Sequence, residues 1–255
     1  RSLRGHLGTV NNLSFSGNDK MLASASTDRT VRIWNVETGE CTAVLRGHTG
    51  EVSSVYYSQA DDGAFIGSSS FDKTVKLWDT KGACDNTASC TPVEVMTLRG
   101  HKSAVNGIAY SYDGKYMASC DDDRKVIVWS IDDVRAGRSV GFTMDTNAHK
   151  GPVLTCLFSF DTKYLISSDK EGIVNVWNLA TRSLERSIKA HNDIVQDLTI
   201  AEDNVTLITV GLDKLVRFWN IETGEKLAEQ ALDTEIWGVD ITSDAKTVLL
   251  ACADG

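Results

Sequence analysis

Short apolar runs separated by polar turns make up nearly the whole chain. In the first of them, "VNNLSFS" (Val10–Ser16) and "MLASAS" (Met21–Ser26) flank the turn "GNDK". The run "VRIW" then follows the tight turn "TDRT", and "CTAVL" follows "NVETGE". Runs of this length, bounded by Gly, Asp and Asn, predict an antiparallel meander of four short strands. Because no stretch has a helical period, the pattern predicts an all-β fold.

The same pattern returns along the chain at a spacing of 42 to 53 residues. Each copy has a histidine, an acid 22 or 24 residues later, and a tryptophan six residues after the acid. A sixth copy, "TEIWGVDITSDAKTVLLACADG", has Leu232 in the histidine position and Asp254 in the acid position. Fixed spacing of this kind indicates a repeat architecture with five full units and one partial unit.

A four-stranded sheet of about 42 residues cannot cover both of its faces, so such sheets must pack against one another. The Gly-His opening, the turn Asp and the closing "WD" (Trp78–Asp79) or "WN" resemble WD40 repeats of a β-propeller along the entire chain. Kelch repeats would need a Gly-Gly pair in each unit, and the chain has none.

The resemblance implies a single WD40 propeller domain over residues 1–255, with five complete blades and a partial sixth. The expected repeats are about 1–40, 41–92, 93–141, 142–184, 185–225 and 226–255. The chain begins inside a fourth strand and stops after the sixth turn acid. We therefore expect a piece of a longer chain that forms a seven-bladed ring.

In WD40 blades a histidine, a hydroxyl residue, the turn acid and the tryptophan form a buried hydrogen-bond chain. The resemblance implies five such sets: His6, Ser24, Asp28, Trp34; His48, Ser68, Asp72, Trp78; His101, Ser119, Asp123, Trp129; His149, Ser167, Glu171, Trp177; and His191, Thr209, Asp213, Trp219. A catalytic site needs one such constellation, not five, and histidines on different blades cannot share a metal. We expect no catalytic residue, no metal and no cofactor. The sixth unit, with Leu232 and Leu250 in these positions, should depend on apolar packing and open first.

Charge and cysteine usage limit the possible environments. The formal net charge of −9 argues against direct nucleic-acid binding and against a membrane surface. The six cysteines are scattered, which is typical of reduced thiols, so we expect a cytoplasmic or nuclear protein. Whether Cys84 and Cys90 ever pair is left open.

Function should lie in positions that differ between copies. The candidates for partner binding at the tight turns and Gly-His loops are Phe71, Asp122, Leu154, Lys170, Leu212 and Trp237. Trp237 is the only tryptophan outside the repeat position, and an exposed aromatic often anchors a partner. The alternative is that Phe71 and Trp237 pack between blades.

Three insertions are expected on the opposite face: Ser58–Ala64, Asp79–Val95 and Ser130–Asn147. They indicate either a surface for a second partner or loops without a function.

The leading hypothesis is a non-catalytic scaffold that binds other proteins or peptides through the tight-turn face. One alternative is a subunit of an RNA-processing or other ribonucleoprotein assembly, with a basic patch of Arg29, Lys73, Arg124, Lys125, Lys170 and Lys214. Another is a ubiquitin-ligase substrate receptor, for which "WDTK" (Trp78–Lys81) has Lys where that class has Arg.

Overall fold

The computed structural model describes residues 2–59, 65–80, 92–145, 147–242 and 244–254. Within these ranges the chain forms 22 β-strands and one short helix. It divides into two compact units, residues 1–121 with 127–142 and residues 122–126 with 143–255.

The first unit contains three four-stranded antiparallel sheets. Sheet one is β1 (Val10–Phe15), β2 (Met21–Ser26), β3 (Thr30–Asn35) and β4 (Cys41–Arg46). Sheet two is β5 (Val52–Tyr57), β6 (Phe65–Ser70), β7 (Thr74–Asp79) and β8 (Val93–Arg99). Sheet three is β9 (Val105–Tyr110), β10 (Tyr116–Asp121), β11 (Val126–Ser130) and β12 (Gly141–Thr143), with helix α1 (Ile131–Arg135) before its last strand.

The second unit contains two four-stranded sheets and one two-stranded sheet. Sheet four is β13 (Val153–Phe158), β14 (Tyr164–Asp169), β15 (Ile173–Asn178) and β16 (Ser183–Lys189). Sheet five is β17 (Val195–Ile200), β18 (Thr206–Gly211), β19 (Leu215–Asn220) and β20 (Lys226–Ala231). Sheet six is β21 (Ile236–Ile241) and β22 (Val248–Cys252).

The cores of both units follow one packing rule: the middle strands of one sheet cover the first strand of the next. In the first unit, Ala23, Val31 and Ile33 pack with Val52 and Val55 of sheet two. In the second unit, residues of β14 and β15 pack against β17, and residues of β18 and β19 pack against β21. This repeated burial of β-branched residues accounts for the predicted stacking of sheets.

Strand β1 departs from this rule. Val10, Leu13 and Phe15 are 45%, 56% and 51% exposed, whereas Val52 and Val55, which match Val10 and Leu13 in sheet two, are fully buried. The outer face of sheet one is therefore an exposed apolar surface.

The helix α1 is a difference from the sequence expectation, which had no helix. Ser130 caps it by accepting a hydrogen bond from the Asp133 backbone N–H, and Ile131 and Val134 are buried beneath it. Five residues are too few to show a helical period, which is why the pattern missed it. Among the described residues no helix is long and apolar enough to span a membrane.

Candidate functional site

Each repeated histidine lies in the middle of a hydrogen-bond chain that joins a tryptophan to a carboxylate. In sheet one, His6 Nδ1 lies 2.8 Å from Asp28 Oδ2, and His6 Nε2 lies 2.6 Å from Ser24 Oγ. The Trp34 indole N–H donates to the same Ser24 oxygen at 2.8 Å. Sheet two repeats the arrangement at 2.9, 2.8 and 2.9 Å with His48, Asp72, Ser68 and Trp78.

The direction of these bonds follows from the donors available. The indole of Trp34 can only donate, so the Ser24 oxygen accepts that bond, and the Ser24 hydroxyl proton is free to be donated to His6 Nε2. Nδ1 then carries the ring proton and donates it to Asp28. A neutral imidazole therefore satisfies every group in the chain.

The turn carboxylates also accept hydrogen bonds from the residue after the histidine and from the threonine after the tight turn. Asp28 accepts hydrogen bonds from the backbone N–H of Leu7 at 3.0 Å and from the hydroxyl of Thr30 at 2.6 Å. Burial alone would raise the pKa of Asp28, but the bonds from Thr30, Leu7 and His6 outweigh it and hold the pKa well below its usual range. The same balance holds for Asp72 with His48, Thr74 and Thr49.

In sheets three and four the sequence assignment of the carboxylate is wrong. His101 Nδ1 lies 2.6 Å from Asp121, not Asp123, and His149 Nδ1 lies 3.0 Å from Asp169, not Glu171. The correct acids end strands β10 and β14, where sheets one and two have Ser26 and Ser70.

The assignment differs because the carboxylate at the end of the second strand already contacts the imidazole ring of the histidine. Asp121 and Asp169 are completely buried, while Asp123 and Glu171 are exposed. The signal in the sequence was an acid 20 residues after the histidine, two positions before the turn acid. The remaining bonds of these chains join His101 and Trp129 to Ser119, and His149 and Trp177 to Ser167, at 2.6 to 2.9 Å.

Sheet five adds a cation to the chain. His191 lies 2.7 Å from Asp213 and 2.8 Å from Thr209, whose oxygen also accepts the Trp219 indole N–H at 3.0 Å. Arg217 Nη1 donates to Asp213 at 2.9 Å and lies 3.0 Å from His191 Nδ1. Burial lowers the pKa of His191 and outweighs the bond and charge of Asp213, which raise it; the nearby Arg217 charge lowers it further.

Sheet six has no such chain at the corresponding positions. Leu232 and Leu250 pack instead with the core residues Ile208, Val210 and Ile236.

Glycine precedes His6 and His48 for a steric reason. Gly5 and Gly47 both have φ of 155°, a conformation that residues with a side chain rarely adopt. A Cβ on Gly47 would also lie 3.3 Å from the Trp78 ring. The tetrapeptide Leu-Arg-Gly-His thus brings each connection close over the tryptophan of the next sheet.

These hydroxyl–imidazole–carboxylate sets have the connectivity of a hydrolytic triad, but their hydroxyl groups are not accessible to a substrate. The hydroxyl residue of every set is at most 2% exposed and its oxygen already accepts an indole N–H. Such a hydroxyl cannot meet a substrate, so the sets act in folding. Within the described residues, no group of three or more His, Cys, Asp or Glu side chains is arranged to hold a metal ion.

Two of the predicted partner-binding residues are exposed aromatics at the tight-turn end, which is the end of each sheet that carries the turn between its second and third strands. Phe71 is 47% exposed and directly precedes the turn acid Asp72. Trp237 is 53% exposed at the start of β21. Both side chains thus keep about half of their surface open to solvent.

The other four candidates present less apolar surface. Lys170 is exposed, whereas Asp122, Leu154 and Leu212 are half-buried. The backbone N–H of Lys170 and Leu212 bonds to Pro152 and Ile194, which places them at the tight-turn end.

The inserted segments are described only in part. Residues 60–64 and 81–91, with Cys84 and Cys90, and residue 146 lie outside the described ranges. The third insertion contains α1 and β12, which is the fourth strand of sheet three, so it is not only a loop.

The sequence profile of the family described as "WD40: WD domain, G-beta repeat" matches residues 1–35, 39–79, 92–130, 141–178 and 182–220. The chain belongs to this WD40 family. The predicted fold class, a WD40 β-propeller of four-stranded antiparallel blades, is thereby confirmed.

Curated relatives share individual stretches of the chain. Nuclear distribution protein nudF of Aspergillus niger is 25% identical over 246 residues, 90% of this chain and 53% of the relative. Nuclear distribution protein nudF 1 of Talaromyces marneffei is 29% identical over 130 residues, 51% of this chain and 27% of the relative. A probable cytosolic Fe-S cluster assembly factor of Schizosaccharomyces japonicus is 33% identical over 128 residues, 50% of this chain and 20% of the relative. The chain spans about half or less of the length of these relatives.

Proposed function

We propose that this protein is a non-catalytic interaction scaffold that holds other proteins at the tight-turn ends of its sheets within a larger assembly. Membership of the WD40 family supports the class. The names of the relatives, nuclear distribution and Fe-S cluster assembly proteins, are compatible with roles in assemblies and with a cytoplasmic location.

The observation that carries the proposal is the exposure of Phe71 and Trp237. Large aromatic side chains that are about half exposed lose apolar contact with water when a partner covers them, and such residues dominate binding energies. In sheet two the repeat residues His48, Ser68 and Trp78 are buried and already bonded, so they are not available to a partner.

The test is affinity capture with wild type, Phe71→Ala, Trp237→Ala and the control Phe15→Ala. Phe15 is 51% exposed but lies at the other end of β1, so it matches Phe71 in residue type and exposure. We expect at least one protein to be captured by wild type and by Phe15→Ala and to be lost from Phe71→Ala or Trp237→Ala. Identical capture by all four proteins would remove the tight-turn ends as the binding site.

A second partner at the inserted segments is a separate proposal. Replacing residues 81–91 with a short Gly-Ser linker should remove that partner and leave the partners of Phe71 or Trp237 in place. Unchanged capture would mean that the insertion is a loop without a binding role.

A further inference from the structure

Six exposed cations of the first unit have no ionic partner, although the protein as a whole is acidic. They are Arg4, Arg29, Arg46, Lys73, Arg99 and Lys102. None forms an ion pair or a side-chain hydrogen bond with another described residue. Some other cations of this unit are paired, as Lys76 with Glu94 at 2.7 Å and Arg138 with Asp133 at 2.5 Å. The six are therefore available to an outside anion.

Strand register places these cations at one end of their sheets. Arg46 is opposite Thr30, and Arg99 is opposite Thr74, the first residues after the tight turns. Arg29 and Lys73 are inside those turns, in the left-handed conformation with φ of 69° and 72°. Arg4 precedes the Gly5-His6 pair, and Lys102 directly follows the Gly100-His101 pair.

The three sheets of the unit point this end in the same direction. The Asn11 amide donates to the Val52 carbonyl at 2.8 Å, and the Ser53 hydroxyl donates to the Val105 carbonyl at 2.5 Å. The starts of β1, β5 and β9 are thus neighbours. Because Val10 pairs with Ser26 beside the tight turn, these starts mark the tight-turn end.

Carboxylates at this end offset the cations only in part, although Asp28 and Asp72 keep their charge and Asp123 in the tight turn of sheet three is exposed. Asp28 and Asp72 are bonded to their histidines and turn threonines, and Asp121 is buried. Glu51 is the one exposed acid next to the tight turn of sheet two. The result is a local basic surface on a chain with a formal net charge of −9.

Phe71 stands within this basic surface, next to Asp72 and two residues from Lys73. A partner that fits must therefore offer both negative charge and an apolar group. We propose that the tight-turn end of the first unit binds an acidic protein segment that carries an apolar side chain against Phe71. This inference rests on the proposed scaffold function and names the chemistry of its partner.

A protein segment suits these observations better than a nucleic acid. Nucleic acids bind through broad positive fields, and this chain carries 35 acidic against 26 basic residues. A short acidic peptide needs only the local cations, whose interactions fall off within about 8–10 Å at physiological salt.

The experiment measures binding of a short fluorescein-labelled peptide of Glu and Asp with one central Leu, by fluorescence anisotropy. A peptide with Lys in place of the acids and a labelled single-stranded oligouridine are the comparison probes. The test variant is Arg46→Glu with Lys73→Glu. The control variant is Lys20→Glu with Lys115→Glu, two exposed lysines at the hairpin turns of the opposite end.

We expect wild type and the control variant to bind the acidic peptide and not the Lys peptide. The test variant should bind it roughly tenfold or more weakly, because two attractive charges become repulsive. The variant Arg46→Lys with Lys73→Arg, which keeps the charge, should retain binding, and circular dichroism should show that all variants are folded. Added salt should weaken wild-type binding.

Equal binding by the test and control variants would overturn the proposal, and so would preference for oligouridine over the acidic peptide. If the acidic peptide does not bind but proteins are still captured through Phe71, the acidic-partner inference is overturned and the scaffold proposal stands. If the peptide binds in a charge-dependent way but no protein is captured through Phe71 or Trp237, the scaffold proposal is overturned and the acidic-partner inference stands.

Discussion

Substituting Asp169 by Asn tests which carboxylate completes the hydrogen-bond chain of sheet four. Asp169 accepts four bonds: from His149 Nδ1 at 3.0 Å and from the backbone N–H of Lys150, Glu171 and Ile173 at 3.1, 3.0 and 2.9 Å. The amide of Asn can keep the bonds made by one oxygen, but its NH₂ group would face the donors of the other. Two donors, each buried or partly buried, would lose their acceptor.

Each unsatisfied donor of this kind costs about 1–3 kcal/mol, so Asp169→Asn should lower the free energy of unfolding by about 2–6 kcal/mol. Glu171→Gln is the matched control, because Glu171 was the acid expected from the sequence and is exposed. It should change stability by less than about 0.5 kcal/mol. Urea denaturation followed by tryptophan fluorescence and circular dichroism measures both.

The difference in the free energy of unfolding between wild type and Asp169→Asn should also depend on pH. Burial raises the pKa of Asp169, but the bonds from His149, Ile173 and Lys150 outweigh it and the pKa falls below its ordinary value of 3.8. A lowered pKa stabilises the fold above the unfolded-state value, and this contribution is lost as pH falls through the folded-state value. The two denaturation midpoints should therefore approach each other below about pH 3.8. Equal effects of the two substitutions at neutral pH, or a larger effect of Glu171→Gln, would refute the assignment.

Three further outcomes are expected. Thr209→Val, which removes the hydroxyl that joins Trp219 to the histidine, should cost about 2–4 kcal/mol in urea unfolding, while Thr209→Ser should cost less than about 1 kcal/mol; equal losses would deny the hydroxyl its role. Asp197→Asn should stabilise the protein by about 1–2 kcal/mol at pH 8, because burial raises the pKa of Asp197 to about 6 and the charged form is disfavoured; the gain should disappear as pH falls through 6 to 3.8, and Asn12 already fills the matching place in sheet one. Amides of β21 and β22 should exchange hydrogen with a smaller opening free energy than those of β14 and β15, since sheet six has two strands and no histidine chain; uniform protection would contradict this.

Strand positions were predictable because each apolar run is bounded by residues with a clear turn preference. The run Met21–Ser26 is β2 without any shift, and Val10–Ser16 differs from β1 by one residue. Helix α1 was not predictable, since its five residues depend on the cap at Ser130 and on burial of Ile131 and Val134. Local order of that size comes from tertiary packing.

The histidine, hydroxyl and tryptophan positions could be assigned by spacing, but the acids of sheets three and four could not. Asp121 and Asp123 are two residues apart, and a spacing rule alone favours the one that repeats at the turn. Only the geometry shows that the earlier carboxylate is buried against the ring. Exposure of Phe71 and Trp237 likewise depends on which neighbours cover them, and the sequence left that open.

The Leu-Arg-Gly-His connections have a consequence for how such a chain can change over evolutionary time. Each connection is hydrogen-bonded to the sheet that follows it through His6 or an equivalent residue. The first strand of that sheet therefore keeps its position whatever the length of the segment before it. The distance from tryptophan to the next histidine accordingly ranges from 14 to 23 residues without loss of strand register in the sheets that follow. Segments outside these hydrogen-bonded points can lengthen, shorten or acquire new surface chemistry while the architecture stays intact.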